Sequence, residues 1–430
     1  MASAQPISAT IFAYQVGFGD CFLLRFNYPA GVRKHVLIDF GTTGLPEAVA
    51  RSHLLQVAHD IAAQCNGKLD AVVATHRHAD HISGFATSAD GKGPGDIIKA
   101  LKPDVVVQPW TEKLSLATDA LGPKGAKGFA QRAAARNLSQ MQSAAAQVVH
   151  TLETHRARFP KALAARMHFI GEDNIANVSA VKNLASMGKK RVYTYHEGPS
   201  GLEAILPGIK THVLGPPTLR QSEVIRKQRP RDPDEFWHLQ FKRLADGEAT
   251  AGFGAPVFPH HVIARGTKLP APARWLAHRM QQAAQEQLMG IVTQLDNQMN
   301  NTSLILLFES TNKKLLFPGD AQIENWSVAL GKDKYRKLLA DVDLYKVGHH
   351  GSLNATPKSM WAGFAKKGSK GKSGRLKTVL STMPGKHGDE RSRTEVPRET
   401  LLTALRTQTE LHSTHTLAQR VLFEQIDIAL

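Results

Sequence analysis

Three histidines and an aspartate fall within six residues of the stretch "ATHRHADHISGF", residues 74–85. His76 and His78 stand two apart, and Asp80 and His81 follow at once. Imidazole nitrogen and carboxylate oxygen both suit Zn2+, and also Mn2+ or Fe2+. A loop this short can aim all four groups at one volume, with two imidazoles for one ion and the Asp and last His for a second. An isolated histidine is more often an ordinary core or surface residue. The spacing His-x-His-x-Asp-His, directly after the apolar run "LDAVVAT", is much more specific and predicts a metal site.

Two downstream segments strengthen that reading. "LLFPGDAQ" sets Asp320 just after a buried-strand pattern and a glycine, where a carboxylate can bridge two cations. "LYKVGHHGS" sets His349 and His350 after another strand pattern. Gly-Asp pairs are common and paired histidines often lie on surfaces, so each segment alone is weak. In this order, they form a coherent dinuclear set. Two cations about 3.5–4 Å apart lower the pKa of a shared water and supply hydroxide at neutral pH, with Asp80 orienting it. That chemistry needs no serine or cysteine nucleophile. Cys21, beside Asp20, reads as a small buried hydrophobe.

The elements that must position these residues are legible in outline. "SATIFAYQV", "CFLLRFNY" and "HVLIDFG" read as strands, followed by a helix within "LPEAVARSHLLQVAHDIAAQC" and a short buried strand at "LDAVVATH". "DIIKALKPDVVVQPW" reads as helix then strand. Residues 111–170 are alanine-rich and basic, and Leu138, Met141, Ala145, Val148 and Leu152 keep helical spacing. Strand and turn chemistry returns at 191–217. Residues 218–298 lean helical again, with "ARWLAHRMQQAAQEQLMGIVTQL" an amphipathic candidate. "TSLILLFES", "KKLLFPGD", "VDLYKVGHHGS" and "LKTVLSTMPG" resume the strands. A helix is expected after Pro397, and "QRVLFEQIDIAL" reads as a final strand.

Composition bounds the remainder. The chain has 430 residues, 42% hydrophobic, and two cysteines, Cys21 and Cys65. A disulfide framework and cysteine-rich zinc modules are therefore not expected. No apolar run approaches the ~18 residues of a membrane span. The N-terminus lacks a basic start and apolar h-region, so a cytoplasmic protein is expected. Lys and Arg exceed Asp and Glu by 17, a balance that favours polyanionic partners such as nucleic acid. "KKGSKGKSGRLK" reads as a flexible basic loop, either a solvated turn or a phosphate-backbone contact. Arg226, Lys227, Arg229 and Arg231 form a second basic cluster beside Phe236 and Trp237, which are either base-stacking groups or a buried helix face.

"THRHADHISG", "FPGDA" and "VGHHGS" resemble the metallo-β-lactamase fold, whose metal motifs fall in this order. The chain is most similar to the branch that includes the soluble domain of competence-type DNA-uptake proteins. That branch has a start like "VGFGDCFLLRF…HVLIDFG", a strand like "NNTSLILLF" and a His-His-Gly-Ser close. Phosphorylcholine-esterase-like enzymes share the layout. The resemblance covers residues 8–110, 191–217 and 298–430. It implies a four-layer αβ/βα sandwich: residues 1–110 the first half of the core, 191–217 core strands and 298–430 the second half. Residues 111–190 and 218–297 are then largely helical insertions, open to contact a protein partner.

The resemblance also implies roles. His76 and His78 would bind one metal, and Asp80, His81 and His350 a second, with Asp320 bridging both. His349 would face the substrate, Asp39 would orient a ligand histidine from behind, and Gly19 and Asp20 would form a bordering turn. Many members of the fold have a histidine ahead of the bridging Asp. Here Asn300 and Asn301 stand there, as substrate contacts or weak metal contacts, which makes the His76/His78 ion the less firmly held. The expected activity is hydrolysis by hydroxide generated between two divalent ions, Zn2+ or alternatively Mn2+. Phosphodiesters are the expected substrates, and the chain would then be a phosphodiesterase or nuclease. The alternatives are a small-molecule ester or lactone hydrolase with a lid, or a non-catalytic metal-binding effector subunit.

Overall fold

The computed structural model describes residues 5–46, 49–50, 52–113, 177–222, 300–352, 356–387, 395–418 and 420–430. The expected helix through Leu138–Leu152, the amphipathic stretch 273–295 and the Arg226–Trp237 cluster lie outside the described residues.

Thirteen described strands form two sheets. The first contains β1 (Ser8–Tyr14), β2 (Cys21–Asn27), β3 (Arg33–Phe40), β4 (Ala71–Val73), β5 (Val105–Pro109), β6 (Lys190–Thr194) and β13 (Phe423–Ala429), in the order β13-β1-β2-β3-β4-β5-β6. The second contains β7 (Lys210–Gly215), β8 (Ile305–Glu309), β9 (Lys314–Phe317), β10 (Leu344–Lys346), β11 (Lys377–Leu380) and β12 (Glu410–Ser413), in the order β12-β11-β10-β9-β8-β7. Each sheet joins an antiparallel block to a parallel one. β3 to β6 run parallel in the first sheet and β9 to β12 in the second.

Alternation along the strands explains the layering. Ala9, Ile11 and Ala13 of β1 face Leu306 and Phe308 of β8 and Leu315 and Phe317 of β9, in a core between the sheets. Phe12 and Tyr14 point the other way, towards α1 (His53–Gln64), α3 (Pro94–Ala100) and α4 (Val178–Met187). Ile305 and Leu307 likewise leave the central core to meet α5 (Ile323–Leu330), α6 (Asp333–Ala340), α7 (Lys358–Gly363) and α8 (Glu399–Gln408). A strand with both faces covered must be apolar on both, which is why "SLILLF" and "VLID" carry near-continuous apolar runs. The arrangement is a four-layer αβ/βα sandwich. Residues 178–187, placed by the sequence in the first insertion, supply Ala180, Leu184 and Met187 to the outer layer of the first sheet. Their apolar face gives them a core role that the alanine-rich run before them masks.

The basic run 366–377 also differs from its expectation. Lys372 Nζ donates to the carbonyls of Ala365 and Lys367, each at 2.7 Å, and Arg375 Nε to that of Gly368 at 2.8 Å. Lys366 pairs with Asp343 at 2.8 Å, Lys377 pairs with Glu410, and Lys367 lies over the Trp361 ring. These five cations tie a turn together, so most of the run's charge belongs to a structural corner.

Phe308 sits at the centre of the inter-sheet core, with ring centroids 6.0 Å from Phe26 and 6.1 Å from Phe317. Phe308→Ala should cost about 3–5 kcal/mol of stability, read as a lowered urea midpoint by circular dichroism. A midpoint within error of wild type would mean the two sheets do not share this core.

Candidate metal centre

Parallel strands point their carboxyl ends the same way, and loops at that edge are where α/β folds assemble sites. The loops after β4, β9 and β10 carry His76–His81, Asp320 and His349–His350, and β3 carries Asp39 near its end. The turn before β2 brings in Asp20.

Local backbone devices aim these groups. The β2–β3 register pairs Cys21 with Phe40 and Phe22 with Ile38, so Asp39 is an extra residue, and its φ is 55°. A bulge of this kind re-aims a side chain. It turns the Asp39 carboxylate onto the next loop, where Oδ1 accepts from the Thr75 amide at 2.7 Å and Oδ2 from the Thr75 hydroxyl at 2.7 Å. The short helix α2 (Ala79–Ile82) rests directly on neighbouring backbone. A Cβ on Gly41 would lie 2.3 Å from the Ala79 carbonyl oxygen, and one on Gly19 would lie 2.8 Å from that of Asp80. The Asp20 amide donates to the Asp80 carbonyl at 2.8 Å. His349 and His350 both have left-handed backbones, with φ of 43° and 51°. They are fixed by the His349 amide donating to Asp320 Oδ1 at 3.1 Å and by His350 Nδ1 donating to the Ser381 carbonyl at 3.0 Å.

The side chains converge. Donor atoms of Asp80, His81, Asp320 and His350 lie within 4.8 Å of one another, as do those of His76, His78 and Asp80. Asp80 is therefore the carboxylate shared by both groups. His81 Nε2 is 3.1 Å from Asp320 Oδ2, and His350 Nε2 is 3.0 Å from Asp80 Oδ2. The rings of His76 and His81 are 4.1 Å apart. His81 turns Nδ1 to Asp39 Oδ2 at 2.8 Å, and His350 Nδ1 is held by a carbonyl, which only accepts. Both rings therefore present Nε2 to the cluster. A ligand histidine is oriented in just this way, through its other nitrogen. Asp20, Asp39 and His81 also lie close together. There the histidine atom is Nδ1, already occupied by Asp39, so this trio orients the cluster from behind.

Electrostatics supply the test of fit to a cation. Asp20, Asp39, Asp80 and Asp320 are all buried, and the buried lysine among them is Lys346, 1% exposed. Lys346 Nζ pairs with Asp20 Oδ2, stands 3.6 Å from Asp320 Oδ1 and donates to the Gly319 carbonyl at 3.3 Å. Burial opposes its charge, but Asp20 and Asp320 outweigh burial and raise its pKa. Burial pushes the Asp39 carboxyl up and His76 well down. For Asp80 and Asp320, burial is overridden by His81 and His350, and both stay below the usual carboxylate range. His81 is raised against burial by Asp320, Asp39 and Asp80. The cluster thus holds more buried negative charge than Lys346 neutralises, and that charge raises the pKa of both His81 and His350. Buried atoms inside it that make no hydrogen bond include His76 Nε2, His81 Nε2, Asp20 Oδ1 and Asp320 Oδ2. An excess of buried carboxylate together with unbonded imidazole nitrogen fits divalent cations.

His349 is set apart, with a side chain 26% exposed and Nε2 3.9 Å from Asp320 Oδ2. Asn300 is buried with neither amide atom hydrogen-bonded, and Asn301 Oδ1 is also unbonded. Their turn is tied to the metal loop by the Leu304 amide, which donates to the Thr75 carbonyl at 2.9 Å. The sequence reading did not single out Lys346, Thr75 or Ser381. Lys346 carried a signal, as the one charge in the otherwise apolar "VDLYKVG" after Asp343.

Asp39→Asn keeps the shape but removes the charge behind His81. It should weaken divalent-metal affinity by about 10–100-fold, measured by chelator competition, with unchanged far-UV circular dichroism. Wild-type affinity in that variant would remove Asp39 from the orienting role.

Among the described residues, no helix is long and apolar enough to cross a membrane. Comparison with curated proteins finds no match. Residues 14–125 match the family model of the metallo-beta-lactamase superfamily, whose members are mostly hydrolases and usually bind divalent metals. The match spans β2 to β5 and the whole His76–His81 loop and is to the superfamily at large. The match identifies a metallo-β-lactamase superfamily domain at residues 14–125, and the two packed sheets and the convergence of Asp320 and His350 on that loop agree with it.

Proposed function

We propose that the chain is a divalent-metal-dependent phosphodiesterase, with nucleic acid as its candidate polymeric substrate. The hydrolase reading is carried by one observation: buried imidazoles and carboxylates from three separated segments meet within 4.8 Å in groups that share Asp80. The phosphodiester reading is supported by the net charge of +17 and by the partly exposed imidazole of His349 beside the cluster. It draws nothing from the basic run 366–377, where five of the six cations are engaged internally.

His76 and His78 would hold one ion, and His81, Asp320 and His350 the other, with Asp80 within reach of both. Bound divalent ions would supply an activated water and polarise the scissile oxygen. The chain's own groups do the rest. Asp39 keeps the His81 Nε2 edge forward. Asp80 is placed to orient the attacking water. His349 is steadied by Ser352 Oγ, 2.9 Å from Nδ1, and leaves Nε2 to contact a phosphoryl oxygen or protonate a leaving group. The unbonded amide of Asn300 would offer an oxygen to the His76/His78 ion or to the substrate.

The test is turnover of bis(p-nitrophenyl) phosphate with Mn2+ or Zn2+, beside a lactone and a β-lactam. Phosphodiester cleavage is expected, falling to background in Asp80→Ala and Asp320→Ala. His349→Ala should lose about 100-fold or more in turnover while retaining bound metal by elemental analysis. Turnover of the lactone alone would overturn the substrate assignment. Metal lost from His349→Ala but kept in His350→Ala would reverse the roles of that pair.

A further inference from the structure

The loop that follows β11 ends against the metal centre, and beyond Ser381 none of the roles above uses it. Ser381 accepts from His350, and the chain then runs through the exposed Pro384–Gly385 tip to Lys386 and His387. The Lys386 amide donates to the Met383 carbonyl, and the Val396 amide to that of His387, so the turn is closed at both ends. Phe18 lies beneath it. The Phe18 ring centroid is 4.3 Å from that of His350 and 4.3 Å from that of His387. One aromatic ring thus separates a candidate metal ligand from a second, half-buried histidine.

Lys386 extends this wall. Phe18 is bonded to Gly44 through its amide at 2.8 Å. The Lys386 side chain lies across Gly44, where a Cβ would come within 2.9 Å of Lys386 Cε and 3.2 Å of Nζ. Lys386 is exposed and makes no ion pair among the described residues. It differs in this from Lys346, which is sealed against Asp20, and from the engaged cations of 366–377. Burial lowers the His387 pKa to about 4, and the charges of Asp80, His350, Lys386 and His349 all reach it. At neutral pH it is an uncharged hydrogen-bonding group next in the chain to the Lys386 ammonium.

We infer that Lys386 and His387, set on Phe18, form a recognition subsite for an anionic oxygen-rich group, a phosphate diester or monoester, next to the candidate metal centre. The inference rests on the hydrolase reading for its relevance to turnover, but the subsite stands on its own geometry. A lysine ammonium supplies charge and an imidazole supplies direction, which suits a tetrahedral oxyanion better than a neutral ester.

Inorganic phosphate is the probe, titrated calorimetrically into the full-length protein loaded with Mn2+. Lys386→Ala should weaken phosphate binding by about tenfold, as expected for the loss of one charge-assisted hydrogen bond, and Lys386→Glu by more. Lys386→Arg should restore most of it. His387→Gln should weaken binding less than His387→Ala. Metal content should stay at the wild-type level in all five proteins, which separates recognition from a structural effect. With bis(p-nitrophenyl) phosphate, the loss in Lys386→Ala should appear in KM, with kcat nearly constant. Phosphate affinity unchanged in both Lys386→Ala and Lys386→Glu would overturn the subsite, as would wild-type protein that binds no phosphate. Phosphate binding that depends on Lys386, without phosphodiester turnover in the wild type, would retain the subsite and reject the phosphodiesterase reading.

Discussion

Four carboxylates buried in one place, Asp20, Asp39, Asp80 and Asp320, are the constraint around which the site is arranged. Two like charges 4 Å apart repel by about 4 kcal/mol even at an effective dielectric constant of 20. The cluster persists because positive charge is interleaved with it. Lys346 sits between Asp20 and Asp320. His81 lies between Asp39 on one nitrogen and Asp320 on the other, and His350 reaches Asp80. Removing any one cationic partner leaves a buried charge uncompensated, which is far costlier than losing an exposed ion pair.

Geometry is bent to satisfy that constraint. Asp39, His349 and His350 hold left-handed backbones that non-glycine residues rarely adopt. Each such residue costs roughly 1–3 kcal/mol and is retained only where the surroundings over-determine it. Here the surroundings are the two parallel blocks. β3 and β4 fix Asp39 relative to Thr75, and β9 and β10 fix Asp320 relative to His349 and His350. The central apolar core between the sheets then brings the two halves of the site together. Strain at the edge is thus balanced by packing that never touches a ligand.

Much of this was legible in residue types. The apolar runs of β1, β2, β8 and β9 marked buried strands, and the His-x-His-x-Asp-His spacing marked its loop, because both signals are local. Helices α5, α6 and α7 and the edge strand β12 were not expected, since their short segments mix charge with apolar residues and bury only part of one face. Asp39 was readable as a partner of the loop only by resemblance. Its means of getting there, one extra residue opposite Cys21, depends on a register between strands that no local pattern specifies. Lys346 was overlooked for a related reason. A lysine in an apolar strand looks like an edge marker until the carboxylates that surround it, one from residue 20 and one from residue 320, are brought alongside.

The same charge balance constrains how the proposed activity can work. An anionic substrate approaching Asp80 and Asp320 meets buried negative charge unless cations already occupy the cluster. On the proposed reading, substrate affinity and metal affinity are therefore coupled, and by linkage each strengthens the other by the same factor. His349 and Lys386 lie at the margin of that field and not inside it. The exposure that makes them poor ligands lets them meet a substrate without giving up a buried partner. The division follows from solvation. Groups that must balance charge in the interior are held in place by neighbours of opposite charge, and groups that must exchange partners stay where water can replace them.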